Sequence, residues 1–181
     1  MSQAGADGES LLVHGSLLVG YAQACRNLNI VVGGDVLRRM HDLEVNRWYP
    51  LRDWNTMERL VIRHYFDVDP ILVKVGMEMM TGWYHHGPGR SLIGGGLDFL
   101  HFQTGGGGFR SVVKGPPDSV GTFELARFEP ERGRATVHST TPFNRKMECG
   151  VLIGGMLAPG DIDYVDVIND NDSDLLEVEF H

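Results

Sequence analysis

The stretch from Ala135 to Ile168 constrains the fold of this chain more than any other part of it. Polar and apolar residues alternate at its start, which predicts a strand that ends before Pro142, because proline has no amide hydrogen to donate to a ladder. An apolar stripe at the helical spacing i, i+3, i+4 and i+7 follows, formed by Cys149, Leu152, Ile153 and Met156. Alternation returns at Asp163, so the stretch predicts a strand–helix–strand unit.

The rest of the chain divides into a helical first part and an extended second part. Helical spacing and helix start and stop signals predict helices over about 11–28, 36–41, 51–66, 69–86 and 91–101. Alternation and turn signals predict strands over about 109–114, 120–128 and 175–180. This order predicts an α+β fold in which N-terminal helices pack on a C-terminal antiparallel sheet, with one helix inserted between strands. We expect residues 1–10 to be a disordered leader and residues 11–181 to be a single domain.

Charge and composition exclude several classes of protein. The net charge is −8 and the basic residues are scattered, whereas a nucleic-acid-binding protein needs a basic surface. No apolar run approaches the roughly 18 residues of a membrane span, and the N-terminus lacks the basic region of a signal peptide, so we expect a cytoplasmic protein. Cys25 and Cys149 lie far apart without a repeated spacing, which indicates neither disulfides nor a zinc site.

Short motifs in this order resemble a known group of proteins. They are Gly15-Ser16 before the first helix, Trp48-Tyr49-Pro50, Gly76 within a later helix, and Pro142, Cys149, Gly150, Gly154 and Gly155 near the end. The chain resembles the vinyl-reductase-like ligand-binding family, and most closely its small bacterial, often myxobacterial, relatives. That superfamily shares its fold with haem nitric-oxide sensor domains and with Golgi adaptors of the transport-protein-particle type. The resemblance implies a fold that encloses an apolar pocket between helices and sheet.

Two departures from these relatives limit what the resemblance implies. The vinyl-reductase-like sensors carry zinc-binding cysteines in their closing strands, whereas the stretch from Asp163 to Glu179 contains none. The haem-binding relatives hold the porphyrin propionates with a Tyr-x-Ser-x-Arg motif, which this chain lacks. We therefore expect no metal and no cofactor, although haem stays possible.

A set of mostly apolar, largely aromatic residues on the predicted helices would line such a pocket, because ligand sites are mainly apolar. These candidate ligand-binding residues are Trp54, Met57, His64, Met79, Trp83, Tyr84, Phe99 and Phe102. The alternative is that they only fill the core.

Histidines offer weak candidates for a haem or metal ligand. His64 and His101 lie beside apolar stripes, and an axial haem ligand must project into an apolar pocket. His85 and His86 end a predicted helix, where the simpler interpretation is an interaction with the free carbonyls and the helix dipole. The pattern favours that interpretation.

Two features of the opening stretch remain. Cys149, near a helix N-terminus and close in sequence to Glu148 and His138, could be a nucleophile, but a buried cysteine on the apolar stripe explains it better. The glycines of the same helix, Gly150, Gly154 and Gly155, would let it approach another backbone closely, either within the fold or across a dimer.

These observations favour a non-catalytic sensory or binding module over an enzyme. It would enclose a small apolar ligand, form a homodimer and signal by contact with a protein partner. The alternatives are a structural adaptor without a ligand, like the Golgi transport branch, and a haem-based gas sensor.

Overall fold

A computed structural model of the chain describes residues 11–30, 32–171 and 173–181. The leader predicted for residues 1–10 lies outside the described residues, and the assignment of residues 11–181 to a single domain stays a prediction. No helix in the described ranges combines the length and the apolar character needed to cross a membrane.

The elements follow the predicted order of helices and then mostly strands. The described residues form nine α-helices: α1 (Gly15–Asn27), α2 (Gly34–His41), α3 (Leu51–Ile62), α4 (Asp69–His86), α5 (Gly89–Leu92), α6 (Gly96–Thr104), α7 (Phe109–Val112), α8 (Pro117–Val120) and α9 (Arg145–Leu157). The strands are β1 (Leu12–His14), β2 (Trp48–Pro50), β3 (Val113–Lys114), β4 (Phe123–Glu129), β5 (Arg134–Ser139), β6 (Val165–Ile168) and β7 (Leu175–Phe180). A 3-10 turn, Pro130–Arg132, joins β4 to β5.

The strands form two antiparallel sheets. A small sheet has the order β2-β1-β3, and a larger one has the order β4-β5-β7-β6. Along β7 exposed and buried residues alternate without exception, so the larger sheet has one face in the core and one face in solvent. The predicted α+β class is confirmed, with α9 as the helix inserted between the strands β5 and β6.

Helix α9 lies against both the sheet and α4, and it crosses α4 at very short range. A Cβ atom built on Gly76 of α4 would collide with the backbone of Met147, and one built on Gly150 or Gly154 of α9 would collide with the backbone of α4. The expected close approach of this helix to another backbone is therefore confirmed, and it occurs within the fold.

Several predicted elements need correction, and the helix predicted over 51–66 already ends at Ile62. The helix predicted over 11–28 begins only at Gly15, because Leu12–His14 pair as β1. Its N-cap is His14, whose Nδ1 accepts a hydrogen bond from the Ser16 amide at 3.4 Å. The helix predicted over 91–101 is split into α5 and α6. The break lies at Gly94-Gly95, where Asp161 Oδ1 accepts from the Gly96 amide at 2.9 Å and so satisfies the start of α6.

A further correction concerns the strand predicted over 109–114. Phe109–Val112 form the short helix α7, and only Val113 and Lys114 pair with β1. The alternation over these six residues predicted a strand. The first four instead form a helical turn, in which the Gly108 carbonyl accepts a hydrogen bond from the Ser111 amide at 3.0 Å.

The contact between α4 and α9 predicts opposite effects for two alanine substitutions. Gly154→Ala should lower the free energy of unfolding by about 1–3 kcal/mol, because its methyl group would meet the Met77 backbone. Gly82→Ala, on α4 but away from this contact, should raise it by about 0.5–1 kcal/mol, because open space surrounds Gly82 and alanine favours the helix. Urea denaturation of both variants measures this. Equal destabilisation by both would contradict the geometry.

Candidate functional site

The predicted ligand-binding residues do not surround one common space. Trp54 and Met57 are buried on α3, Met79 is buried on α4, and Trp83, Phe99 and Phe102 form a separate group where α4 meets α6. His64 lies on the surface, and Tyr84 is half-buried beside His85 and Arg90. That these residues bind a ligand stays a prediction.

The group between α4 and α6 is closely packed. The Trp83 ring lies 6.0 Å from that of Phe99 and 5.4 Å from that of Phe102, centre to centre. Phe99 is fully buried, and its ring occupies the space beside Gly155 of α9, where a Cβ atom would overlap it. Three helices thus meet around one ring, and the position of Gly155 serves to admit that ring.

The group around Trp54 fills the other end of the interior with a chain of rings. The Trp54 ring contacts Tyr21 at 5.2 Å and Phe143 at 5.1 Å, both edge to face, and Phe143 in turn lies 6.0 Å from Phe109. Such contacts stabilise the core beyond the burial of area alone. These rings join α1, α3, α7 and the segment before α9.

Two concavities among the described residues lie at the surface of the molecule. One, of about 310 Å³, is on the solvent face of the larger sheet and is lined mainly by charged residues of β4, β5 and the turn between them. The other, of about 290 Å³, lies between α1 and α2. Neither is lined by a predicted ligand-binding residue.

The candidate histidines point outward. His64 accepts a hydrogen bond from Arg63 Nε at 3.2 Å, His85 Nδ1 lies 2.9 Å from Arg90 Nη2, and the His101 ring packs on Phe128 at 4.8 Å. These three and His86 are all exposed, and none of the eight histidines of the chain is buried. In the described part of the chain, no three His, Cys, Asp or Glu side chains converge to hold a metal ion.

Cys149 lacks the surroundings of a nucleophile. Burial raises its pKa to about 11, so the unreactive thiol form predominates near neutral pH. His138 points to the solvent face of the sheet, whereas Cys149 and Glu148 are buried beneath the opposite face. The interpretation of Cys149 as a packing residue fits this geometry.

Glu148 is instead the centre of a buried polar network that the sequence did not reveal. Its carboxylate accepts hydrogen bonds from Ser139 Oγ at 2.8 Å, from Thr141 Oγ1 and from Arg145 Nη1 at 3.1 Å. Burial raises the pKa of Glu148, while these donors act in the opposite direction. Arg145 also donates to Asp174 at 3.3 Å, so the network ties the end of β5 and the β6–β7 connection to the start of α9. Only the Arg145–Glu148 spacing was visible in the sequence.

A second polar group in the core, Glu58 of α3, was also missed. One of its oxygens, Oε1, is buried without a hydrogen-bond partner among the described residues. Burial raises the pKa of Glu58 to about 7, and it also raises the pKa of Cys25 on α1 to about 12. Glu58 follows Trp54 by one helical turn. An acidic residue beside an apolar stripe gives no signal in the sequence that its side chain faces inward.

Comparison with known proteins relates the fold to one group of structures. No protein-family model matches the chain, and no curated protein does. An H-NOX protein mutant from K. algicida in the Fe(II) unliganded state has a TM-score of 0.65 at 9% identity, over 93% of this chain and 96% of that one. An oxygen-bound H-NOX domain related to soluble guanylate cyclases has a TM-score of 0.60 at 13% identity, over 92% and 94%.

A third structure, from work on haem redox potential and porphyrin distortion, has a TM-score of 0.64 at 13% identity, over 92% of this chain and 94% of that one. At such identities the likeness shows the fold alone. The haem-sensor part of the resemblance is thus confirmed at the level of the fold, whereas its vinyl-reductase-like and transport-adaptor parts have no support in these comparisons.

The histidines, the cysteines and Tyr21 of this chain are poorly placed to serve as axial haem ligands. An axial ligand must come from a histidine, cysteine thiolate, methionine or tyrosine that faces an apolar slot. The histidines lie outside the core, and burial raises the pKa values of Cys25, Cys149 and Tyr21, which opposes formation of a thiolate or phenolate ligand. The aromatic rings and the α4–α9 contact described above fill a large part of the interior.

Glu58 predicts a pH-dependent stability. Its carboxyl loses its proton near pH 4.5 in the unfolded chain but only near pH 7 in the folded chain. The folded state therefore holds more protons between these values, and its free energy of unfolding falls as the pH rises through them. Relative to Glu58→Gln, the wild type should lose on the order of 2 kcal/mol between about pH 4 and pH 8.

Urea denaturation at both pH values measures this loss. Glu131→Gln, which replaces an exposed acid in the turn after β4, is the control and should run parallel to the wild type. A difference between wild type and Glu58→Gln that stays constant with pH would show that Glu58 is not buried as described.

Proposed function

We propose that this chain is a non-catalytic binding module with the fold of H-NOX domains, which works without haem and acts by contact between its surface and another protein. The filled interior carries this proposal. Phe99 occupies the space between α4, α6 and α9, and α4 and α9 meet backbone to backbone at their glycines. A core closed in this way leaves the surface as the part of the molecule that can recognise a partner.

The arrangement of reactive groups supports a role without catalysis. Catalysis by a cysteine requires a base within hydrogen-bond distance of the thiol and a lowered thiol pKa. Here burial raises the pKa of Cys149, and His138 lies on the other side of the sheet. Glu148 is held by Ser139, Thr141 and Arg145, so its hydrogen bonds serve to anchor α9.

A haem-based gas sensor is the second candidate, and the similarity to H-NOX structures over nearly the whole chain favours it. It would require a histidine to turn inward and the rings around Phe99 to separate. The predicted small apolar ligand would also need space, and the half-buried rings of Trp83 and Phe102 are where it would enter. Homodimer formation and a cytoplasmic location stay predictions.

Titration with haemin separates the two candidates. We expect the absorption spectrum of the mixture to remain that of free haemin, because no histidine faces the interior. His101→Ala, which removes a candidate axial ligand, should give the same spectrum as the wild type. A haem-binding H-NOX domain treated in the same way is the positive control.

A sharp Soret band that the wild type forms at one equivalent and that a histidine variant loses would contradict the proposal. In that case the gas-sensor candidate would stand, and Phe99 would have to move to admit the porphyrin. The purified chain should be examined both as isolated and after added haemin, since haem can be lost during purification.

A further inference from the structure

The solvent face of the larger sheet has no element packed on it among the described residues. The buried residues of β5, β7 and β6 all point to the opposite face, toward α9 and the core. On the solvent face, three large apolar side chains are exposed on β6 and β7 and beside them: Tyr164 at 42%, Ile168 at 53% and Leu175 at 43%. Apolar side chains grouped on one sheet face indicate a contact surface more strongly than scattered ones.

Acidic residues alternate with these apolar ones. Asp166 lies between Tyr164 and Ile168 on β6, and Glu177 and Glu179 follow Leu175 on β7. We call these six residues the hairpin face: Tyr164, Asp166, Ile168, Leu175, Glu177 and Glu179. In the ladder Asp166 is opposite Glu179, and Ile168 is opposite Glu177, so the acids and the apolar residues form one continuous area.

The charge of the whole chain is concentrated in this part. Residues 161–181 contain eight acidic residues and no Lys or Arg, which leaves 16 acidic and 16 basic residues in the first 160. The net charge of −8 therefore arises entirely from the segment that carries the hairpin face. Of its acids, Glu177 accepts a hydrogen bond from Thr136 at 2.9 Å, and none of the three forms an ion pair with a described Lys or Arg.

The other half of the same sheet face is different. There Glu129 binds Arg127 at 2.9 Å and Arg132 at 3.4 Å, so acids and bases neutralise one another. Arg134 lies across the ladder from Glu179 without an ion pair to it. The negative potential is thus strongest over β6 and β7, and an approaching cation is attracted to that half.

The free edge of the sheet is less suited to binding than its face. Strand β6 is the edge strand on this side of the sheet, but the Val167 amide already donates a hydrogen bond to Asp166 Oδ1 at 2.9 Å. A side chain that occupies an edge amide in this way hinders the addition of a further strand. A partner would therefore lie across the hairpin face and not extend the sheet.

We infer that the hairpin face is the docking surface for an amphipathic, basic segment of a protein partner, whose apolar stripe covers Tyr164, Ile168 and Leu175 while its Lys or Arg side chains meet Asp166, Glu177 and Glu179. This inference rests on the proposed function, because it names the contact through which a haem-free module would act. Charge complementarity selects a basic partner, and like charges oppose the pairing of two copies through this face.

Binding of a designed peptide tests the surface. The probe is a fluorescently labelled amphipathic helix made only of leucine and lysine, and its comparison is a peptide of the same composition in scrambled order. Fluorescence anisotropy at low and at physiological salt measures both affinities. We expect the amphipathic peptide to bind at least about tenfold more tightly than the scrambled one, because only it can cover the apolar residues.

Two double variants test the apolar and the acidic residues of the hairpin face separately, and a third double variant is the control. Ile168→Ser with Leu175→Ser should abolish the preference for the amphipathic peptide, and Glu177→Lys with Glu179→Lys should weaken its binding about tenfold. Asp42→Lys with Asp67→Lys changes the net charge equally at exposed positions outside the sheet and should leave binding within about twofold of the wild type.

The inference is overturned if the wild type binds neither peptide, if it binds both equally, or if the control pair weakens binding as much as the face pair does. The absorption spectrum of the same protein, with and without haemin, tests the proposed haem-free function separately from the docking surface. If the protein binds haem and still prefers the amphipathic peptide, only the proposal of a haem-free module is contradicted. If it binds no haem and shows no peptide preference, only the assignment of the hairpin face as a docking surface is contradicted.

Discussion

The close contact of α4 with α9 is the constraint on which the rest of the structure depends. Because Gly76, Gly150 and Gly154 carry no side chains, the two helix backbones touch, and no space remains between them. This contact fixes α9 on the inner face of the larger sheet, where the Glu148 network then anchors its first turn to the end of β5. Gly155, next along α9, admits Phe99, so the same run of glycines also closes the interior.

The packing of the interior bears on how this chain could use the fold that it shares with H-NOX structures. The chain matches H-NOX structures over more than nine-tenths of its length, yet its histidines are outside and its core is filled with rings. The fold by itself is therefore compatible with both a ligand-holding and a ligand-free interior. In this chain three of the seven exposed large apolar residues, Tyr164, Ile168 and Leu175, lie on the hairpin face together with three acids.

The sequence predicted those elements whose signals are local. Strand β7 was predicted with its observed bounds, and the apolar stripe from Cys149 to Met156 lies within α9, because alternation and an apolar stripe are carried by the residues themselves. Strand β1 was missed because its three residues are held only by β2 and β3, which lie far away along the chain. The candidate site could be predicted only as a set of apolar residues, since composition does not distinguish the lining of a pocket from a packed core. Whether His101 faces inward depends on the rotation of α6, which Asp161 helps to set from a distant loop.

The most direct test of the closed interior is a search for xenon sites in crystals of the protein under xenon pressure. Xenon binds in dry apolar cavities inside proteins. The described packing predicts no xenon atom between α4, α6 and α9. A well-occupied xenon site beside Phe99 and Gly155 would contradict it and would show that the chain retains an internal pocket.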